Sequence, residues 1–160
     1  MSISMKNYPP RPKATPEMVL QAAKRIEELE SLESGSAEEI ARYYRPGISG
    51  FELALELHRR ESWEIQDSFI EFFGSLDDAV DTYLKTAEFE WERENNIKPP
   101  LPIGTRVKTY AGMATITGEH RYSAATYLLK PDGQDDAATN TSRILMTFEK
   151  AEEAVEAQND

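Results

Sequence analysis

The sequence predicts an α+β chain, with an N-terminal bundle of four to five helices followed by a small antiparallel β-barrel and a C-terminal helix. Three observations predict it. Apolar residues recur at helical spacing across 16–95, the period drops to two after Pro102, and the change falls on the proline stretch Lys98-Pro99-Pro100-Leu101-Pro102. Proline lacks the N–H that both ladders need and restricts the residue before it, so such a stretch separates elements. Residues 1–14 then form an extended arm, 15–97 an acidic helical bundle, 98–103 a proline-rich linker, and 104–160 the barrel with its terminal helix.

The arm contains three prolines and little periodicity. Thr15 offers an N-cap with Pro16 at the first helical position, where a missing N–H costs nothing. Met18, Val19, Ala22, Ala23, Ile26 and Leu29 make one stripe, and this helix should end near Leu32. Three capping boxes follow, Ser36 with Glu39, Ser49 with Glu52 and Ser75 with Asp78, predicting helices over 37–44, 50–60 and 76–95. Phe51, Leu53, Ala54, Leu57 and His58 should define the buried side of the second. Leu76, Val80, Tyr83, Leu84, Ala87 and Trp91 should define that of the third. Between them Trp63, Ile65, Phe69, Ile70, Phe72 and Phe73 supply an aromatic cluster on a short helix ending at Gly74.

Strands are predicted over 105–110, 113–118, 124–130 and 143–148. Val107, Ala114, Ile116, Tyr127, Leu129, Leu145 and Phe148 should face inward. Tyr110-Ala111-Gly112 reads as a tight turn, Pro131 to Ser142 as a polar loop, and Glu149 to Gln158 as a helix. Four or five short strands over about fifty residues can curl into a small barrel.

The 160 residues carry a net charge of -11, placed unevenly. Residues 14–100 hold 20 acids against 9 bases, whereas 101–148 hold 4 against 5. A surface of this sign repels nucleic acid and anionic membranes and attracts basic partners. The absence of cysteine excludes disulfides, thiolate metal sites and a cysteine nucleophile. No run approaches the ~18 apolar residues of a membrane span, and no apolar leader opens the chain, so a cytoplasmic protein without a membrane partner is expected. Asn140-Thr141-Ser142 matches the glycosylation acceptor pattern, incidentally in that setting.

Gly104, Val107, Gly112, Ala114, Ile116 and Gly118, in Gly104-Thr-Arg-Val-Lys-Thr-Tyr-Ala-Gly-Met-Ala-Thr-Ile-Thr-Gly118, resemble the opening of KOW-like and other SH3-like small barrels. The resemblance covers about a third of the chain. It implies a binding module for nucleic acid or protein, with no catalytic residues. Helix, break and helix over 37–60 invite a helix-turn-helix reading, but the second helix begins with Glu52 and Glu56 and keeps Arg59 and Arg60 for its far end. That order suits the helix dipole and not a DNA groove.

Catalysis and metal binding find little support. His58 and His120 lie in different parts of the chain, and Asp77, Asp78 and Asp81 lack the glycine-containing loop of a calcium site. No phosphate-binding loop, dinucleotide fingerprint or nucleophile elbow is present, so no enzyme, cofactor or metal is expected. The acidic helices offer the alternative: Asp77, Asp78, Asp81, Glu88 and Glu92 with Phe89, an aromatic ringed by acids, as a partner-binding surface. A solvated charged face is the blander account of the same residues. The whole chain is similar in general character to small phage or mobile-element inhibitors of the anti-CRISPR and other anti-defence types, several of which mimic DNA charge. That similarity implies a host protein with a basic surface as partner and disfavours direct nucleic-acid binding. An adaptor contacting its partner through Arg106, Lys108, Arg121 and Lys130 of the barrel is the alternative, and nucleic-acid binding through the same four is a third.

Overall fold

The computed structural model describes residues 2–134 and 143–160; the triplet Asn140-Thr141-Ser142 and most of the expected polar loop lie outside the described residues. The fold is α+β. Five helices, α1 (Pro16–Leu29), α2 (Ser36–Tyr43), α3 (Gly50–Glu61), α4 (Asp67–Gly74) and α5 (Leu76–Glu94), precede strands β1 (Arg106–Thr109), β2 (Gly112–Glu119), β3 (Thr126–Pro131) and β4 (Ile144–Thr147), and α6 (Phe148–Gln158) closes the chain. Two compact units result: Pro12–Ala87, and Met1–Arg11 with Glu88–Asp160. The division falls inside α5, not at the proline stretch where the sequence reading put it. The reason is that Trp91 and Ile97 belong to the core beneath the sheet, and Met5 of the arm enters that core too.

The helical unit starts as its caps dictate. Thr15 accepts from the Met18 N–H with Pro16 behind it, and Ser49 accepts from the Glu52 N–H at 3.1 Å. The other two boxes do not form. Gly35, in the left-handed region at φ 96°, takes the N-cap position of α2, so Ser36 lies inside the helix and its hydroxyl has no cap to make. Ser75 ends α4 and donates to the Phe72 carbonyl at 2.7 Å, which leaves a single residue between α4 and α5 and no room for a separate cap. Ala22, Ala23, Ile26, Ala37, Ile40, Leu53, Ala54, Leu57, Phe73, Leu76 and Val80 form the core. Leu29, the last residue of α1, was expected inside but is exposed, and so are Phe51 and His58, because α3 turns Gly50, Leu53, Ala54 and Leu57 inward instead. Gly50 explains the choice: a Cβ there would lie 1.9 Å from the Ile70 carbonyl oxygen and 2.8 Å from the Gly74 nitrogen, so the backbones of α3 and α4 meet where only hydrogen fits.

The sheet unit is an antiparallel meander in the order β1-β2-β3-β4. Val107 pairs with Ala114, Ile116 with Leu129, and Leu129 with Ile144, which aligns the buried positions of all four strands. A register shift between Ile116 and Gly118 marks a bulge in β2. Tyr127 and Phe148 pack with ring centroids 4.4 Å apart, and the Tyr127 hydroxyl both accepts from the Leu101 N–H and donates to the Leu101 carbonyl. Burial pushes that phenol up to about 12. In β4 the expected inward residue was Leu145. It is half exposed while Ile144 is buried, because strand alternation set one residue out of step turns every side chain over.

The arm is part of this unit. Ser4 caps a short 3-10 turn, Met5 is buried, and the Trp91 indole donates to the Pro9 carbonyl at 3.0 Å. Arg11 holds the assembly together. Its guanidinium donates to Glu88 at 2.6 Å, to both carboxylate oxygens of Glu149, and to the carbonyls of Ala124 and Ala125 at 2.8 Å, and it lies 5.0 Å from the centre of the Trp91 ring. Burial alone would lower its pKa, but the hydrogen bonds to Glu149 and Glu88 outweigh that and raise it.

Candidate interaction surface

The predicted carboxylate array divides into residues that close the fold and residues that face solvent. Glu88 and Glu92 belong to the sheet unit's frame, the first held by Arg11 and the second accepting the Ala125 N–H. In the helical unit Asp77 accepts from the Tyr44 hydroxyl and, at 3.1 Å, from the Gly47 N–H, pinning the break between α2 and α3. Tyr44 is raised well above the ordinary phenol range by burial and then by Asp77. Asp81 pairs along its own helix with Lys85 at 3.2 Å. Asp78 and Phe89 are exposed, Phe89 at 39%. Trp91 is buried as expected.

Of the four basic residues expected to offer a surface in the sheet unit, three are engaged. Arg106 grips both oxygens of Asp132 and reaches the Thr115 hydroxyl at 2.8 Å, so its charge is met locally. The hydrogen bond lowers the Asp132 pKa and raises that of Arg106. Arg121 lies over the Tyr122 ring, 4.7 Å from its centre, and Lys130 on β3 is engaged within the fold. Lys108 projects from β1 into solvent.

A feature that the sequence reading passed over lies in the helical unit. Leu32, Glu33, Gly35, Ser36 and Glu39, from the end of the α1–α2 connection and the start of α2, and Glu61, Ser62, Trp63, Glu64 and Phe69, around the end of α3, enclose a pocket of about 460 Å³. Its aromatic wall is fixed from several sides. Ser62 ends α3 in the left-handed region at φ 59°, the Trp63 N–H returns to the Leu57 carbonyl, and His58 Nδ1 lies 2.8 Å from the Trp63 carbonyl. The Trp63 indole N–H donates to Glu39 at 2.5 Å, and the ring meets Phe69 edge-on at 6.2 Å. Glu61 accepts from the Tyr43 hydroxyl at 2.6 Å and from Arg42 at 2.7 Å. The Tyr43 bond is the main cause of a pKa below the ordinary carboxylate range, and Arg42 adds to it.

Glu33 and Glu64 are exposed at the same pocket, and neither carboxylate has a hydrogen-bond or ion-pair partner among the described residues. The arrangement offers two free negative charges beside an indole whose orientation is locked by a third carboxylate. That chemistry suits a cationic side chain, which gains from the carboxylates and from the aromatic face together. The signal in the sequence was Glu61-Ser-Trp-Glu64, a tryptophan between acids. It went unused because the aromatic run after it reads as core.

Among the described residues no three His, Asp or Glu side chains gather as a metal-holding group, and no helix is long and apolar enough to cross a membrane. Compared with known proteins, the chain matches no family model, no curated protein and no solved structure.

Proposed function

We infer that this protein is a non-catalytic binding protein whose helical unit docks on a basic surface of another protein. The observation that carries the reading is the pocket at Trp63, with Glu33 and Glu64 unpaired at it. The surrounding unit agrees in sign, since residues 12–87 hold 16 acids against 8 bases. A lysine or arginine of the partner enters beside Trp63, and the acids around it supply the long-range attraction that speeds encounter. Asp78 and Asp81 contribute to that field, while Asp77 holds the fold.

In its narrower form the proposal is an inhibitor of phage or mobile-element origin, of anti-CRISPR or other anti-defence type, acting in the cytoplasm by occupying a host groove that otherwise holds nucleic acid. The four-strand meander supports reading the sheet unit as SH3-like, here a scaffold whose Arg106 is paired with Asp132 and whose Arg121 lies over the Tyr122 ring. Direct nucleic-acid binding through Arg106 is disfavoured because Asp132 already meets its charge.

The test is capture from host lysate at low and high salt, followed by competition. The full chain should retain basic nucleic-acid-handling proteins at low salt, release them at high salt, lose them to added duplex DNA, and ignore free oligonucleotides. A Glu33→Lys, Glu64→Lys variant should retain none of them. Equal capture by that variant would overturn the assignment of the site, and direct oligonucleotide binding lost in Arg106→Ala would overturn the function.

A further inference from the structure

The edge of the sheet carries a second, independent feature. β1 is an edge strand, so its outward main-chain groups are available to a further strand. Two of them are occupied by a side chain. The Gln158 carboxamide accepts from the Lys108 N–H at 2.7 Å and donates to the Arg106 carbonyl at 3.3 Å. One amide thus bonds on both sides of Val107, taking the acceptor and the donor that an added strand would take. Beside it runs a groove of about 550 Å³, lined by Lys108, Thr109, Tyr110, Met146, Ala154, Ala157 and Gln158. Ala154 and Ala157 are three apart on α6 and too small to fill the space, and Tyr110 stands at its end 92% exposed.

We propose that this groove receives an extended, acidic peptide segment of a partner protein, which adds to β1 as a strand and displaces the Gln158 carboxamide. Three observations favour this occupant. The bonds that Gln158 makes are those of a peptide group, so the edge is already shaped for main chain. Gln158 is the last residue of α6 and exposed, where fraying is easy and displacement costs little. The charge on the edge strand is positive: the Lys108 ammonium has no carboxylate partner among the described residues, and across the groove Lys150 lies on the Ala154 and Ala157 face of α6 with Glu153 on the adjacent face by helical spacing. Side chains of an added strand alternate, so one set rests over the alanines and Met146 while acids of the other meet Lys108. The surface belongs to the sheet unit and stands or falls separately from the pocket at Trp63.

The probe is a blocked hexapeptide of alternating valine and glutamate, titrated into the isotopically labelled full chain and followed by amide shifts and hydrogen exchange. Shifts confined to 106–110 and 154–158, with new protection of the Lys108 amide, are the expected result. Gln158→Ala, a change at an exposed helix end, should bind about 5- to 30-fold more tightly because two competing hydrogen bonds of roughly 0.5–1 kcal/mol each are gone. Lys108→Glu, a valine–lysine peptide and a backbone N-methylated peptide should each abolish binding. Absence of shifts in both wild type and Gln158→Ala overturns the proposal, as does tighter binding of the N-methylated form. Concentration-dependent dimerisation of Gln158→Ala without peptide binding also overturns it, in favour of edge-to-edge pairing of two copies.

Discussion

Both units hold some of their acids and leave others free, but among the described residues only the helical unit sets free ones at a pocket beside a tryptophan. In the sheet unit several glutamates close the fold, Glu88 and Glu149 holding Arg11, Glu92 taking the Ala125 N–H, Glu152 taking Ser4 and the Met5 N–H, and Glu156 taking Lys6, while Glu90, Glu94, Glu119 and Glu153 face solvent. In the helical unit Glu28, Glu33, Glu38, Glu64 and Asp78 are exposed, and their carboxylates have no hydrogen-bond or ion-pair partners among the described residues. Each unit also owns one of the two tryptophans, and the contrast repeats there. Trp91 donates to a carbonyl of the arm, whereas Trp63 donates to a carboxylate at a pocket. Net charge alone therefore says little about where an acidic protein binds. What matters is which acids the fold has left unpaired.

That contrast can be broken at its structural supports, and the largest effect should come at Gly50. Gly50→Ala places a methyl against two backbone atoms that cannot rotate away, so α3 and α4 must separate, at about 3 kcal/mol or more. In thermal melts resolved by the indole signals, Trp63 should lose its native environment at lower temperature. Next comes Arg11→Met, which strands Glu88 and Glu149 and leaves two carbonyls short of a donor, for about 2–4 kcal/mol read at Trp91. Equal melting of wild type and this variant would show that the arm is not part of the sheet unit's frame.

Tyr127→Phe is smaller, about 1–2 kcal/mol, because it removes both hydrogen bonds to Leu101 but keeps the ring on Phe148. It carries a pH signature. A phenol held up to about 12 when folded, against an ordinary 10, favours the folded state fully below pH 10 and loses that contribution as pH rises through about 12. In the phenylalanine variant this alkaline loss at Trp91 should be absent. Glu61 gives the opposite sign in the helical unit: its lowered pKa contributes stability above the ordinary 4.5 that is lost as pH falls through the lowered value. Glu61→Gln should flatten the acid limb read at Trp63. Smallest of all, Arg106→Ala on an exposed pair should leave melting unchanged within error.

The sequence announced the change from helix to strand, the first helix from Thr15 to its apolar stripe, the short helix ending at Gly74, and the inward positions Val107, Ala114 and Ile116. These follow from local period and cap chemistry, which a single chain displays. Failures came where tertiary competition decided. Ser36 and Ser75 each had a carboxylate three residues on, but Gly35 and the α4–α5 junction claimed the positions. The proline stretch looked like a domain boundary, yet packing of Trp91 and Ile97 drew the end of the preceding helix, from Glu88 on, into the sheet unit. The carboxylates with structural work, Asp77, Glu88 and Glu92, could not be told from free ones, because their partners Tyr44, Arg11 and Ala125 are 33 or more residues away in the chain.

The central claim is that cationic side chains bind the helical unit at Trp63 and not the sheet unit, and a titration with a short oligoarginine peptide tests it most directly. The full chain contains two indole N–H groups, one per unit, so a two-dimensional spectrum reads both at once. The account predicts that the Trp63 signal moves at low salt, that the movement is lost in Glu33→Gln, Glu64→Gln and at high salt, and that Trp91 stays in place. A stationary Trp63, or a shift that survives removal of both glutamates, would contradict it.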